Sequence, residues 1–117
     1  MSAADARAIR QVIEAQLDAF KRDDGERAFS LATAGIRASF GTPEAFMAMV
    51  RMEYYPVYRP KRVVFEEPVL YDGEVAQPVR FTDMDGALWL GLYPMRREGG
   101  EWRTNGCHLE RLPGRDI

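Results

Sequence analysis

The stretch ALWLGLYPMRREGGEWRTNGCHLERL, from Ala87 to Leu112, decides the fold because it holds two strands and the turn between them. Gly99-Gly100 is a two-residue loop in which both positions tolerate positive φ, and this predicts a tight β-hairpin. The hairpin pairs Met95 with Thr104 and Leu92 with Cys107.

Alternation of side chains along a strand divides this hairpin into two faces. Both faces are rich in apolar groups, whereas a sheet with one open face alternates apolar with polar residues. We therefore expect helices or a partner subunit to cover each side. The first face holds Leu88, Leu90, Leu92, Cys107 and Leu109, and the second holds Trp89, Tyr93, Met95, Trp102 and His108.

Two further turn signals precede the hairpin. Asp72-Gly73 and Asp85-Gly86 are typical of two-residue type I′ turns. They predict strands over residues 62–71 and 74–83, which complete a four-stranded antiparallel meander. With two-residue loops, the face that holds Leu88 continues through Val64, Leu70, Val75, Gln77, Val79 and Phe81. We expect the helices to cover this face, although a single bulge would reverse the alternation beyond it.

Polar residues on the predicted helix-covered face indicate a pocket. Glu66, Gln77, Arg103 and Asn105 fall among its apolar side chains, and buried polar groups need partners. We expect them to line a ligand site, with Glu66 and Arg103 meeting each other, a ligand or water.

The opposite face is predicted to form an interface. Trp89, Tyr93 and Trp102 share it, and such a mixture of aromatic and polar groups is more typical of a subunit contact than of an open surface. The expectation is a homodimer that pairs through the sheet.

The first third of the chain is predicted to be helical. Apolar residues at helical spacing indicate an amphipathic helix from about Ala3 to Arg22. Asp23 is predicted to cap a second, short helix, with Glu26 completing a capping box. A metal site at Asp23-Asp24 is the less favoured interpretation, because the stretch supplies no further oxygen ligands.

A later helix is predicted after a short extended segment. Residues 35–41 alternate in the manner of a short strand, and Thr42-Pro43-Glu44 then has the residues of a helix start. This helix should end near Tyr54, before an aromatic linker over residues 54–60. Its methionines, Met47, Met49 and Met52, either line an adaptable cavity or fill the core.

The bulk properties narrow the function classes. The chain has 117 residues, which suits one domain, and a net charge of −2, which leaves no basic footprint for nucleic acid. No apolar run approaches the roughly 20 residues of a membrane span, and no secretory signal is visible. We expect a cytoplasmic protein without membrane or nucleic-acid partners.

Cysteine and histidine are too few for several common chemistries. Cys107 and His108 are neighbours on one strand, so they point to opposite faces and do not form a thiolate–imidazole dyad. One cysteine and one histidine do not close a zinc site, and no phosphate loop or dinucleotide fingerprint occurs. The expectation is a protein that needs no metal and no cofactor.

The segments IRQVIEAQLDAFKRDDGERAF, FGTPEAFMAMVRMEYYPVYRP and GGEWRTNGCHL resemble a small bacterial family, domain of unknown function 4864. The resemblance runs from about Ile9 to Leu109. That family is similar to the nuclear-transport-factor-2-like (SnoaL-like) superfamily. The resemblance implies an α+β, cystatin-like cone, in which N-terminal helices pack inside a curved antiparallel sheet around a cavity. It also implies frequent homodimers, but no activity.

Two functions from different classes fit these expectations. The first is a non-catalytic domain that binds a small apolar molecule or a protein. The second is a cofactor-free isomerase, lyase or cyclase acting on an apolar oxygenated substrate, as in some enzymes of the superfamily. Glu66 would then be the inward carboxylate, with Tyr54 or Tyr58 at the cavity mouth. No stretch matches the enzymes' motifs, and we favour the binding domain.

Overall fold

A computed structural model describes residues 1–115 and shows a mixed α+β fold. Within these residues five helices precede an antiparallel sheet that curls into a half-barrel. None of the helices in this part of the chain has the length and apolar content that a membrane span requires. The helices are α1 (Ala3–Lys21), α2 (Gly25–Ser30), α3 (Ala34–Phe40), α4 (Pro43–Glu53) and α5 (Tyr55–Tyr58). The strands are β1 (Arg62–Phe65), β2 (Val69–Tyr71), β3 (Glu74–Thr82), β4 (Ala87–Glu98), β5 (Glu101–Thr104) and β6 (His108–Arg115).

Helix α1 matches its predicted bounds to within one residue. The Ser2 hydroxyl accepts from the backbone N–H of Asp5 at 3.0 Å, and the Asp5 carboxylate accepts from the Ser2 N–H at 3.4 Å, which closes a capping box. The apolar stripe packs into the core through Ile9, Ile13 and Phe20, which are almost fully buried.

The acidic pair after α1 is structural, but the cap of the second helix is Asp24 and not the predicted Asp23. Asp24 caps α2 by accepting from the N–H of Arg27 at 3.2 Å, so the predicted cap at Asp23 is wrong by one residue. Asp23 instead has positive φ, and its carboxylate pairs with Arg51 and Arg59 at 3.3 and 3.1 Å. It therefore ties the end of α1 to α4 and the segment after α5.

The predicted short strand over residues 35–41 is wrong, because this segment forms α3. The Thr33 hydroxyl accepts from the N–H of Ile36 at 3.3 Å, and Gly41 ends the helix at φ +81°. Ile36 and Phe40 alternate along the sequence, but their spacing of four residues also places them on one helical face, where both pack against the core.

Helix α4 begins as predicted, with the Thr42 hydroxyl accepting from the Ala45 N–H at 3.1 Å. It ends at Glu53, close to the predicted Tyr54. The predicted linker from Tyr54 to Pro60 is only partly extended, since Pro56 lies in the first turn of the short helix α5. Proline fits there because it lacks the N–H that a first turn leaves unpaired.

The sheet follows the predicted antiparallel meander of four strands, but the first and the last of these are each divided into two shorter strands. Strands β1 and β2 both pair with β3, and β5 and β6 both pair with β4. The Gly99-Gly100 hairpin has its predicted register, with Met95 opposite Thr104. The Asp72-Gly73 turn does as well, with Leu70 opposite Val75.

The Asp85-Gly86 turn contains one residue more than predicted. Two-residue geometry would place Phe81 opposite Leu90, but Phe81 lies opposite Trp89. The turn is closed by bonds from the N–H of Asp83 to the carbonyl of Ala87 at 2.9 Å and from the N–H of Gly86 to the carbonyl of Asp83 at 3.0 Å. Gly86 takes φ +84°, as a bulged turn requires.

Two more one-residue shifts of register occur, one between β5 and β6 and one between β1 and β2. Beyond Gly106, Leu92 lies opposite His108, so the predicted pairing of Leu92 with Cys107 is wrong. Between β1 and β2, the Glu66-Glu67-Pro68 segment interrupts the predicted continuous strand, and Phe65 lies opposite Val79. Each shift exchanges the two faces beyond it.

The longer turn at Gly86 reverses the predicted faces of β4. Tyr93 and Met95 lie in the core at 2% and 3% exposure, and Trp89 and Trp102 pack against it. The prediction that Trp89, Tyr93 and Trp102 form an outward homodimer interface is therefore wrong. The residues that face the other way are Leu88, Leu90 and Leu92, which are half-buried.

Other predicted core positions keep their places. Gln77, Val79 and Phe81 on β3 are almost fully buried, as predicted. Cys107 and Leu109 also pack against the core, because the shift near Gly106 cancels the shift at Gly86. Two displacements of one residue thus return β6 to its predicted orientation.

Replacing Asp83 by Ala is expected to lower the free energy of unfolding by roughly 1–2 kcal/mol. The Asp83 carboxylate accepts hydrogen bonds of 2.9 Å from the backbone N–H groups of Asp85 and Ala87 and from the indole N–H of Trp89. Urea unfolding of Asp83→Ala and of the control Asp85→Ala measures the difference, and Asp85→Ala should change stability by less than about 0.5 kcal/mol.

The stability lost in Asp83→Ala should depend on pH. Burial tends to raise the pKa of Asp83, but its hydrogen bonds from Trp89, Ala87 and Asp85 outweigh this and lower the pKa below the ordinary value. A depressed carboxyl pKa stabilises the fold above the unfolded-state pKa, and this stabilisation is lost as the pH falls through the folded-state pKa. The difference in free energy of unfolding between the wild type and Asp83→Ala should therefore become smaller in acid. Equal losses of stability in Asp83→Ala and Asp85→Ala at neutral pH would show that the Asp83 carboxylate does not stabilise the turn.

Candidate functional site

A cavity of about 300 Å³ lies between the helices and the inner face of the sheet, next to the Gly106 bulge. Its wall is formed by α1, α3, α4 and α5 on one side and by β4, β5 and the bulge on the other. The lining residues are Gln16, Phe20, Ala32, Ile36, Phe40, Phe46, Met49, Val50, Glu53, Tyr54, Val57, Tyr93, Thr104, Gly106 and Cys107.

Three phenylalanines pack together in the helical wall. The ring of Phe46 on α4 lies 6.1 Å from that of Phe20 and 5.6 Å from that of Phe40. The Phe40 contact is edge-to-face, a favourable arrangement for aromatic pairs. Since Phe46 is buried at the centre of this group, the wall is fixed by packing between three helices.

Two polar lining residues have hydrogen bonds to backbone carbonyls. The Gln16 side-chain amide donates to the carbonyl of Ala28 at 3.0 Å, and the Thr104 hydroxyl donates to the carbonyl of Leu31 at 3.5 Å. Both bonds join the cavity wall to the α2 region. These side chains therefore stabilise the packing of the cavity wall against the α2 region.

Tyr93 differs from the other polar lining residues because its hydroxyl is buried without a hydrogen bond. Of the buried side-chain polar atoms in residues 1–115, this oxygen alone lacks a partner. The Cys107 thiol is its hydrogen-bonding neighbour and affects its pKa, but the contact does not reach the geometry of a hydrogen bond, and a thiol is a weak acceptor. Burial raises the pKa of Tyr93 well above its usual range, so the phenol stays protonated and able to donate.

Tyr54, at the end of α4, reaches the same wall, and its hydroxyl proton has a hydrogen-bond acceptor. It donates to the carbonyl of Cys107 at 2.8 Å. Burial, followed by the proximity of Cys107 and Glu53, raises the pKa of Tyr54. Two tyrosines thus meet at Cys107, one bonded to its backbone and the other beside its thiol.

The Cys107 thiol is protonated at neutral pH. Burial raises its pKa to about 12, and the Tyr93 hydroxyl and the Leu92 backbone offset only part of this effect. Gly91 on the paired strand leaves room for it, since a Cβ there would lie 3.2 Å from the sulfur and 2.8 Å from the Phe81 ring. A protonated, packed thiol is a poor nucleophile.

At one end of the cavity, hydrogen bonds hold the bulge at Gly106 against the start of α3. Gly106 takes φ +88°, and beside it the Asn105 side chain accepts from the Thr33 hydroxyl at 2.8 Å. The backbone N–H of Thr33 also donates to the carbonyl of Thr104 at 2.9 Å. Thr33 caps α3, so the bulge and this helix are held as one unit.

Of the six residues predicted to line a ligand site, Tyr54 lines this cavity. Gln77 is buried at 1% exposure, but its amide donates to the backbone carbonyls of Glu66 and Pro78 and supports the break between β1 and β2. Asn105 holds Thr33 at the cavity's edge. Tyr58 donates its hydroxyl to Asp23, outside the cavity.

The predicted meeting of Glu66 with Arg103 does not occur. Glu66 follows the end of β1 with its side chain 40% exposed, and it pairs with Arg80 at 2.9 Å. Arg103 donates to the carbonyl of Ser30 at 2.5 Å and pairs with Glu101 at 3.3 Å. The strand break at Pro68 and the turn at Gly86 account for this, because both invert the alternation on which the prediction relied.

Sequence reasoning missed Tyr93, the most informative lining residue, by assigning it to the outer face. The signal that could have placed it is the Asp83-Met84-Asp85-Gly86 sequence. A first aspartate that bonds the following backbone and a glycine at the last position also suit a three-residue loop with a bulge.

The charge of the lining is sparse. Glu53 is its one charged member, and this residue is exposed at the cavity mouth. No arginine or lysine is among the lining residues. Across residues 1–115, no three His, Cys, Asp or Glu side chains are grouped so that they could hold a metal ion.

Comparison with known proteins identifies the family. The family model "Domain of unknown function (DUF4864)" matches residues 2–117. The chain belongs to the DUF4864 family. No curated protein matches the sequence. Family membership thus agrees with the resemblance in the sequence, and the site of this DUF4864 chain has to be interpreted from its own geometry.

Removing the Tyr93 hydroxyl is expected to leave stability unchanged or to raise it. Tyr93→Phe keeps the ring and deletes a buried group without a hydrogen bond, whereas Tyr54→Phe deletes a bonded one. An ordinary buried hydrogen bond contributes about 1 kcal/mol, so Tyr54→Phe should lower the free energy of unfolding by about that amount. Denaturant unfolding of both variants tests this, and an equal loss in Tyr93→Phe would show that its hydroxyl is satisfied within the fold.

Proposed function

We propose that this DUF4864 protein is a non-catalytic domain that binds a small apolar molecule in the cavity beside the Gly106 bulge. The observation that carries the proposal is the cavity itself, about 300 Å³ in volume and lined largely by apolar side chains. Ligand sites are typically concave, mostly apolar and furnished with a few polar groups. The curled sheet around helices also supports assignment to the nuclear-transport-factor-2-like fold.

The volume sets the size of the ligand. An apolar protein cavity of roughly 150 Å³ is large enough to bind benzene. A cavity of about 300 Å³ therefore suits a single substituted ring or a fused pair of rings. Larger molecules would need the mouth at Glu53 to open.

Binding is better supported than the alternative, an isomerase, lyase or cyclase. Such chemistry needs a carboxylate directed at the substrate, with its pKa tuned toward neutrality by burial. Glu66, the predicted candidate, pairs with Arg80 outside the cavity, and Glu53 lies at the exposed mouth. Tyr93 and Cys107 are both held in their neutral forms.

Filling the cavity is expected to weaken binding. Met49 lines the cavity, whereas Met52 on the same helix is 83% exposed. Met49→Trp should reduce the affinity for α-methylstyrene, a benzene ring with a small branched alkene, by at least about tenfold, and Met52→Trp should leave it unchanged. Titration calorimetry measures both. Equal affinities in the two variants, or no binding by the wild type, would overturn the proposal.

We further propose that two copies pair through the outer face of the sheet. Support comes from Leu88, Leu90 and Leu92, which lie half-buried on a face that the helices do not cover. Apolar side chains that share one sheet face and keep part of their surface in water are typical of association surfaces. Light scattering at micromolar concentration should give twice the monomer mass, and Leu90→Arg should give the monomer. A monomeric wild type would contradict the pairing.

A further inference from the structure

The Gln16 side-chain amide lies in the cavity wall with its nitrogen paired in the fold and its oxygen unpaired. Gln16 projects from α1, is 3% exposed and lines the cavity. Its Nε2 donates to the carbonyl of Ala28 at 3.0 Å. Because a carbonyl accepts and does not donate, this bond fixes which end of the amide is the nitrogen. The Oε1 oxygen receives no hydrogen bond from any of residues 1–115.

This oxygen is open to the cavity. Within residues 1–115, the Tyr93 hydroxyl is the one fully enclosed side-chain polar atom that lacks a partner. The Gln16 oxygen also lacks a partner, so it is not fully enclosed and keeps accessible surface. Since Gln16 is almost completely buried and lines the cavity, that surface faces the cavity.

The hydroxyl groups of the lining add further acceptors and no free donor. Tyr54 gives its hydroxyl proton to the carbonyl of Cys107 at 2.8 Å, and Thr104 gives its own to the carbonyl of Leu31 at 3.5 Å. Neither proton reaches a ligand without the loss of a bond within the fold. The Cys107 thiol is a weak donor. The cavity therefore favours a ligand that donates a hydrogen bond.

The state of the Gln16 oxygen in the filled cavity decides which ligands bind well. A hydrocarbon excludes water from this oxygen and leaves the acceptor unpaired, which is unfavourable. A ligand with a hydroxyl or N–H group pairs with it instead. That donor is uncharged, because a buried ammonium group needs a carboxylate partner, and the one carboxylate of the lining, Glu53, lies at the exposed mouth.

We propose that the ligand is a neutral molecule of one or two rings that donates one hydrogen bond, from a hydroxyl or a ring N–H, to the Oε1 oxygen of Gln16. Phenols, alicyclic alcohols and indole-like heterocycles form the chemical class. This inference rests on the proposed binding function and adds the polar group that the ligand carries. Gln16 is the specificity-determining residue, because a buried acceptor left unpaired disfavours an analogue that lacks the donor.

Three ring compounds separate the donor from the acceptor. The hydroxyl of para-cresol donates, para-xylene has a methyl group in its place, and para-methylanisole keeps the oxygen but lacks its proton. Titration calorimetry measures their affinities for the wild type, Gln16→Met and Gln11→Met. Methionine keeps the length of the glutamine side chain and removes the amide. Gln11 is exposed on the same helix and outside the cavity lining, so Gln11→Met is the matched control.

Gln16→Met is expected to weaken para-cresol binding about fivefold to tenfold, the effect of one neutral hydrogen bond. It should leave para-xylene and para-methylanisole within about twofold of their wild-type affinities, and Gln11→Met should alter none of the three. An equal loss for all three compounds, or no loss for para-cresol, would show that the Gln16 anchor is wrong while the binding cavity stands. If neither these compounds nor α-methylstyrene binds the wild type, the proposed binding function fails, and the inference fails with it.

A measurement on the wild type alone covers the case in which Gln16→Met, which also removes the bond to Ala28, does not fold. In protein labelled with ¹³C at the glutamine side-chain carbonyls, para-cresol should move the Gln16 resonance farther downfield than para-xylene does, because a hydrogen bond to the oxygen deshields the carbonyl carbon. The Gln11 resonance should stay in place. Equal movement of the Gln16 resonance with both compounds would overturn the anchor.

Discussion

The Asp83 carboxylate makes the hydrogen bonds on which the rest of the structure depends. By accepting from two backbone N–H groups and from the Trp89 indole, it fixes a turn that holds one residue more than a tight hairpin. That extra residue sets the β3–β4 register and sends Tyr93 and Met95 beneath the helices. Since side chains alternate strictly along a strand, no later packing can undo this choice without a second shift.

The second shift, at Gly106, lies at one edge of the cavity. It ends the pairing of β5, returns Cys107 to the inner face and turns Asn105 toward Thr33. Regular pairing is interrupted between β5 and β6, where Thr33 at the start of α3 contacts Asn105, and the cavity lies beside this interruption. A bulge beside a helix cap thus places a phenol, a thiol and apolar walls around one space.

The sequence predicted the elements well and the faces poorly. Helices α1 and α4, the hairpin at Gly99-Gly100 and the four-stranded meander follow from periodicity, capping residues and turn glycines, which act locally. The face on which a side chain lies depends on the number of residues in every turn before it. Asp85-Gly86 fits both a two-residue and a three-residue loop. The extra residue in this turn moved Tyr93 to the outer face in the prediction, and the unforeseen break between β1 and β2 moved Glu66 to the inner face.

The central claim is that a small apolar molecule enters the cavity, and the methionine methyl groups test it most directly. Met49 lines the cavity, while Met52 and Met84 are exposed at 83% and 62%. In protein labelled with ¹³C at the methionine methyls, titration with α-methylstyrene should move the Met49 resonance in a saturable way and leave those of Met52 and Met84 in place. Saturable movement of Met52 or Met84 with a stationary Met49 would place the binding elsewhere and contradict the account.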